Sequence, residues 1–327
     1  MTMRKWWLVL LLVAIAVVVS RSSVLPSPLL VSHQVKINSS VAVVSKPELH
    51  PPRVSSKQLF AHIKALNYKR YTESERDRTR DYLIASLKKW GWLPKLQSFE
   101  GGVNILAERK GTAPEAGRVL VAAHYDTVAV SPGADDNNTG VAVVLELARI
   151  FSSHPTPLTL QLAFFDQEER GLRGSVAFVT NEPNLENLRG VIVMDMIGFA
   201  CYTAGCQRYP EGLPVTPPTN RGDFLAVVGD SEHLPLLSTF AKSSQPGLPS
   251  VLTLPVPFKG MLTPDTLRSD HAPFWYQGIG AVLVSDTANL RTPHYHKPSD
   301  KPPTLDRAFF NGSAQVVVNA TTALLKG

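Results

Sequence analysis

Continuous apolar runs that end in acids or histidines constrain this chain more than any other feature. Leu158–Phe165 and Val191–Met196 are unbroken apolar stretches bounded by turn or polar residues, the pattern of strands buried on both faces of a sheet. Val103–Glu108 and Arg118–His124 also read as strands. Between and around them lie helical patterns: Lys57–Leu66, a charge-rich amphipathic stretch at Thr72–Lys89, and Arg307–Leu325. Asn137 and Asn138 can cap a further helix whose Val141, Val144, Leu145 and Ala148 share one face. Strands alternating with helices predict an α/β fold, a three-layer sandwich with a mixed, largely parallel central sheet flanked by helices. In such folds the chemistry gathers at the carboxyl ends of the strands.

With 327 residues and 44% apolar content, the chain can bury one large core. That core is expected over residues 55–327, as one globular domain. Residues 21–54 are rich in Ser, Pro and Val without helical periodicity and read as a linker. The first 20 residues read as a signal peptide or an N-terminal membrane anchor. Arg4 and Lys5 precede an apolar run at 6–19, short for a span of the hydrocarbon core. Trp6 and Trp7 would suit an interfacial tether. Either reading exports the domain, to the periplasm, the extracellular space or the outer side of a membrane. Cys201 and Cys206, the two cysteines, then have an oxidising compartment in which to pair. The net charge of +6 is scattered, with no basic run interleaved with aromatics, so nucleic acid is not an expected partner.

Four polar clusters follow the apolar runs. His124 and Asp126 stand two residues apart after Val119–Ala123, where a carboxylate can orient a metal-binding imidazole. Asp135 and Asp136 enter a helix start, as metal ligands or as ordinary acids favoured by the helix dipole. Glu168 and Glu169 follow a buried strand, so that one can ligate while the other handles protons. Asp195 interrupts an apolar strand, and a buried lone carboxylate is costly unless paired or metal-bound. Downstream lie Ser269-Asp270-His271 and Pro293-His-Tyr-His-Lys-Pro-Ser-Asp300. His296 completes a donor set of two histidines and three carboxylates suited to zinc.

The ordered motifs His-Tyr-Asp, Gly-Ala-Asp-Asp-Asn, Glu-Glu-Arg-Gly-Leu-Arg-Gly-Ser, Met-Asp-Met-Ile-Gly, Ser-Asp-His and Tyr-His-Lys-Pro-Ser-Asp resemble the two-zinc aminopeptidase family. Secreted bacterial leucyl aminopeptidases belong to that family; glutamate carboxypeptidases and glutaminyl cyclases are more distant members. The resemblance covers about Lys57 to the C-terminus. It implies the zinc-exopeptidase fold, two zinc ions per chain and a peptide or small amide substrate. By the same resemblance, His124 and Asp195 hold one zinc, Glu169 and His296 the other, and Asp136 bridges them. Glu168 is then the general base and Asp126 the orienter of His124. The Asp136–Asn137 peptide is expected to be cis, and Asp270 and His271 to lie near the pocket. Two rival readings share the fold: a one-zinc glutaminyl cyclase, and a receptor or scaffold without catalysis. The run Gly133–Gly140 looks more like the hydrolases, and retention of Glu168 with a full ligand set argues against the scaffold.

Overall fold

The computed structural model describes residues 51–210 and 217–327. The predicted signal or anchor, the 6–19 tether and most of the 21–54 linker lie outside the described residues. The last linker positions do not: Val54 N donates to Gln315 Oε1 at 3.0 Å, and Gln315 Nε2 donates to Pro52 O at 2.9 Å. Among the described residues, no helix is long and apolar enough to cross a membrane.

Helices α1 (Ser56–Ala65) and α2 (Glu73–Lys89) precede strands β1 (Lys95–Phe99), β2 (Gly102–Arg109) and β3 (Arg118–His124). Then come α3 (Asn138–Phe151), β4 (Thr159–Phe165), α4 (Arg173–Val179), β5 (Leu188–Met194), β6 (Phe224–Asp230) and α5 (Leu234–Ser243). The chain closes with β7 (Ser250–Val256), α6 (Ala272–Tyr276), β8 (Ala281–Ser285) and α7 (Arg307–Leu324). Local chemistry sets the helix starts. Thr72 and Glu75 form a reciprocal capping box for α2, Asn137 caps α3 through Gly140 N, and Asp306 caps α7 through Phe309 N.

The strands form one sheet in the order β1-β2-β4-β3-β5-β8-β6-β7. Its centre, β4-β3-β5-β8, is parallel, with antiparallel partners outside it, as the alternating pattern predicts. Side chains alternate between two cores. Val119, Val121 and Ala123 of β3 join the core under α1, α2, α3, α5 and α7. Leu120 and Ala122 join the core with α4 and α6.

Two details differ from the sequence reading. Helix α3 is not half-exposed: all its residues but Arg149 are buried, because α1, α2 and α7 cover the face that β3 and β4 do not. Its buried Glu146 is offset by Arg149, with oxygens 2.6 and 2.7 Å from the guanidinium nitrogens. Strand β5 stops at Met194, so Asp195 stands just beyond the ladder and not within it. There it is partly open, with 18% of its side chain exposed.

Candidate metal centre

Strands β3, β4 and β5 are parallel neighbours, so their carboxyl ends meet at one edge. His124 ends β3, Asp195 follows β5, and the Glu168–Glu169 pair follows β4 on a tight turn. Gln167 and Leu172 both take left-handed φ values, 57° and 59°, to fold that turn back. Asp136 enters from the start of α3 and His296 from the loop after β8. All five expected metal ligands and both expected catalytic residues come together.

Asp136 stands between the two histidines. Its Oδ1 is 3.4 Å from His124 Nε2, and its Oδ2 is 3.3 Å from His296 Nε2. His124 Nε2 also faces Asp195 Oδ1 at 3.6 Å and Glu168 Oε2 at 3.9 Å. His296 Nε2 faces Glu169 Oε2 at 3.0 Å. Two groups able to hold an ion result: His124, Glu168 and Asp195; and Asp136, Glu169 and His296. Donor atoms about 2.0–2.2 Å from one zinc at tetrahedral angles lie roughly 3.3–3.6 Å apart, which most of these separations match. Both ring nitrogens of His124 are buried without a hydrogen-bond partner, as is Glu169 Oε1. These orphaned donors fit the set to a cation.

The electrostatics point the same way. Burial would push the His124 imidazole down, but Glu168, Asp126, Asp136 and Asp195 together carry it well above its ordinary value. Burial opposes His296 as well, yet Asp136 and Glu169 raise it to about 10. Asp136 is held below the usual carboxylate range against its own burial, by the two histidines. Burial pushes Glu168 well up; His124 opposes this, and Asp195 and Asp270 add to it. Glu169 rises to about 7, from burial and the neighbouring Asp136. Asp126, Asp136, Glu168, Glu169 and Asp195 thus crowd two imidazoles, an excess of negative charge that a bound cation would relieve.

A hydrogen-bonded frame holds these groups. Asp126 Oδ1 is 3.4 Å from His124 Nδ1, and the same carboxylate accepts from the backbone N–H of Glu168 at 3.0 Å and Glu169 at 3.3 Å. One residue therefore faces a histidine and anchors the acid pair. Asp300 does the corresponding work for Asp136, accepting from the backbone N–H of Asp135 at 2.8 Å and Asp136 at 3.1 Å. The fully buried Arg70 donates to the carbonyls of Leu66, Tyr68, Tyr125, Pro132 and Gly133. Gly133 takes φ +61°, and a Cβ there would collide with the Asp136 carbonyl. The Asp136–Asn137 peptide is cis. Asp135 turns away from the histidines, accepting from Thr139 Oγ1 at 3.1 Å and Gly198 N at 2.9 Å.

Asp270 and His271 sit behind the wall of the site. Asp270 accepts from Ser175 Oγ at 2.5 Å, and burial raises its carboxyl to about 7. His271 Nε2 contacts Thr266 O at 2.7 Å, and burial lowers the ring to about 4. Cys201 and Cys206 are joined in a disulfide, in the loop that follows Asp195.

A cavity of about 510 Å³ opens from the centre. Its floor is formed by Ala226, Val228, Leu252, Leu254 and Leu283, from strands β6, β7 and β8. Tyr209, Pro210, Pro217 and Pro218, from the segment between β5 and β6, form part of its wall. Two lining residues had no role from sequence. The Tyr295 ring stacks on His296 at 3.7 Å, and Arg268 Nη2 donates to the Tyr295 hydroxyl at 3.1 Å. Tyr295 adjoins His296 in the sequence, which is a local signal; Arg268 carries none.

A largely parallel sheet with a double acid–histidine cage at its strand ends is the architecture of a zinc-exopeptidase-type α/β sandwich. This chain belongs to peptidase family M28, whose family model matches residues 104–321. It is 33% identical over 220 residues to the uncharacterized protein YfbL of Escherichia coli K12, covering 63% of this chain and 66% of that protein. In fold it is similar to the LapA aminopeptidase of Legionella pneumophila, with a TM-score of 0.66 and 18% identity over 84% of this chain and 73% of that one. It is also similar to a glutaminyl cyclase of Porphyromonas gingivalis, with a TM-score of 0.63 and 18% identity over 83% of this chain and 99% of that one. Both structural likenesses concern the fold.

Proposed function

We propose that this chain is a two-zinc aminopeptidase that removes N-terminal residues from peptides. The observation that carries this reading is Asp136, which turns one carboxylate oxygen to each of two histidines, each with its own acid partners. A one-zinc cyclase has no use for that bridge. In this reading His124 and Asp195 hold one zinc, Glu169 and His296 the other, and Asp136 both. Glu168, the farthest of the four groups around His124, is left as the proton carrier.

Zinc, when bound, supplies a water of lowered pKa and polarises the carbonyl under attack. Glu168, buried beside that position, accepts the water's proton and passes it to the leaving amine. Asp126 keeps His124 in one orientation and fixes the Glu168 backbone, so the base does not drift. Tyr295 keeps its proton, since burial and then nearby acids raise its phenol above its ordinary value. Because its oxygen accepts from Arg268, its own O–H is free to donate to a developing oxyanion. With two dications set against the five carboxylates, the centre keeps one net negative charge, which suits a protonated substrate amine.

The test joins metal analysis to product analysis. The purified full chain should bind about two zinc ions, lose activity in chelator, and release free leucine from a leucine-capped peptide but not from its N-acetyl form. Fewer than one zinc with activity unaffected by chelator would sink the metal reading. Pyroglutamate formation from an N-terminal glutamine peptide, without hydrolysis, would replace it with cyclisation.

A further inference from the structure

The arginines of this fold are mostly consumed by structure. Arg70 spends its donors on carbonyls, Arg76 and Arg80 pair with Asp166, and Arg291 donates to Gln207 and to the carbonyls of Phe199 and Phe224. Arg268 is different. It lines the cavity that also holds Asp136, Glu168, Glu169, Asp195 and His296, and it is the one Lys or Arg among the described lining residues. Its Nη1 donates to Asn289 Oδ1 at 3.2 Å and its Nη2 to the Tyr295 hydroxyl at 3.1 Å. Both partners are neutral, and among the described residues no carboxylate pairs with it. A guanidinium has five N–H donors, so three stay available in a planar fork that matches a carboxylate.

Its position limits what it can meet. The guanidinium carbon is 5.9 Å from the centre of the Tyr295 ring, which stacks on His296 at 3.7 Å. The guanidinium therefore lies within roughly 10 Å of the imidazole, and an extended peptide rises about 3.3–3.6 Å per residue. A free C-terminal carboxylate comes within reach only when it lies one or two residues past the scissile bond. Asn289 and Tyr295 hold the fork in place, so little side-chain freedom is lost on pairing.

We propose that Arg268 anchors the free α-carboxylate of short substrates, making this a site for di- and tripeptides. The proposal rests on the aminopeptidase reading and names its substrate class. Charge-assisted, bidentate pairing makes a preference of roughly tenfold or more the expected size.

The zinc-loaded full chain is assayed on Leu-Leu and on Leu-Leu-amide, which differ only in that carboxylate. Wild type should favour the acid at least about tenfold in kcat/KM, and Arg268→Gln should bring the acid-to-amide ratio close to one. Equal rates on both substrates in wild type would overturn the proposal. So would a ratio that Arg268→Gln leaves unchanged while both rates fall, since Arg268 would then act through Tyr295. Calorimetric titration of the Glu168→Gln protein with the same two ligands reads the preference without turnover. If that protein binds the acid more tightly and Arg268→Gln abolishes the difference, the anchor stands even where no hydrolysis is seen, and only the hydrolytic reading falls. Equal binding of acid and amide removes the anchor while leaving the aminopeptidase reading in place.

Discussion

The two histidines of the centre are held in different ways. His124 is the last residue of a central strand, 1% exposed, paired with Phe165 of β4, while β5 pairs with the residues just before it. His296 stands on a loop at φ +56°, with 34% of its side chain exposed. The first is positioned by the register of the sheet, through its pairing with β4. The second is positioned by side chains, chiefly the Tyr295 stack and the Asp300 clamp on Asp135 and Asp136. Loop-built sites open at lower free energy than sheet-built ones. One half of the centre is therefore as rigid as the fold, and the other half is only as rigid as its local contacts.

The acid pair lies between the halves and gives the largest expected effect. Glu168→Gln should cut hydrolysis about 10²–10⁴-fold, the usual span for a lost general base, with zinc content unchanged. Loss of zinc in that variant would instead make Glu168 a ligand of the buried half. Next are the two carboxylates that brace the halves. Asp126→Asn should weaken zinc binding about 10–100-fold, read by competition with a chelating dye, because it alters the partner of His124. Asp300→Asn should cost less, roughly tenfold or under, since one oxygen remains to accept a backbone N–H. A larger loss at Asp300 than at Asp126 would reverse the ranking of the halves. The smallest effect is kinetic. Chelator should strip the protein in two phases a few-fold apart in rate, with His296→Ala abolishing the faster one. A single phase in wild type would show the halves exchanging metal as one unit.

Much of this was legible in the sequence, for a physical reason. Strands β3, β4 and β5 are buried on both faces, so their apolar runs stand out and the polar residues ending them stand out as well. Helices α2 and α7 carry their own start signals in Thr72 and Asp306. Strands β6, β7 and β8 were not anticipated. β7 is an edge strand with mixed exposure and Pro255 within it, and β8 has only five residues. Asp195 was expected inside a strand, because the apolar run continues through Met196 although pairing with β8 ends at Met194. The split between Asp135 and Asp136 came from family resemblance; nothing local separates two adjacent acids.

The sequence by itself determined the kinds of donor and their order along the chain, because each apolar run must end where the buried sheet ends. Which donors meet was decided by the tertiary structure alone. β3 lies between β4 and β5, so segments 40 or more residues apart become neighbours across about 5 Å of sheet. Asp300 reaches the amides of Asp135 and Asp136, and Tyr295 reaches Arg268, through contacts with no periodicity to announce them. Exposure of half the centre, and the place of Arg268 on its cavity, follow from packing and not from composition.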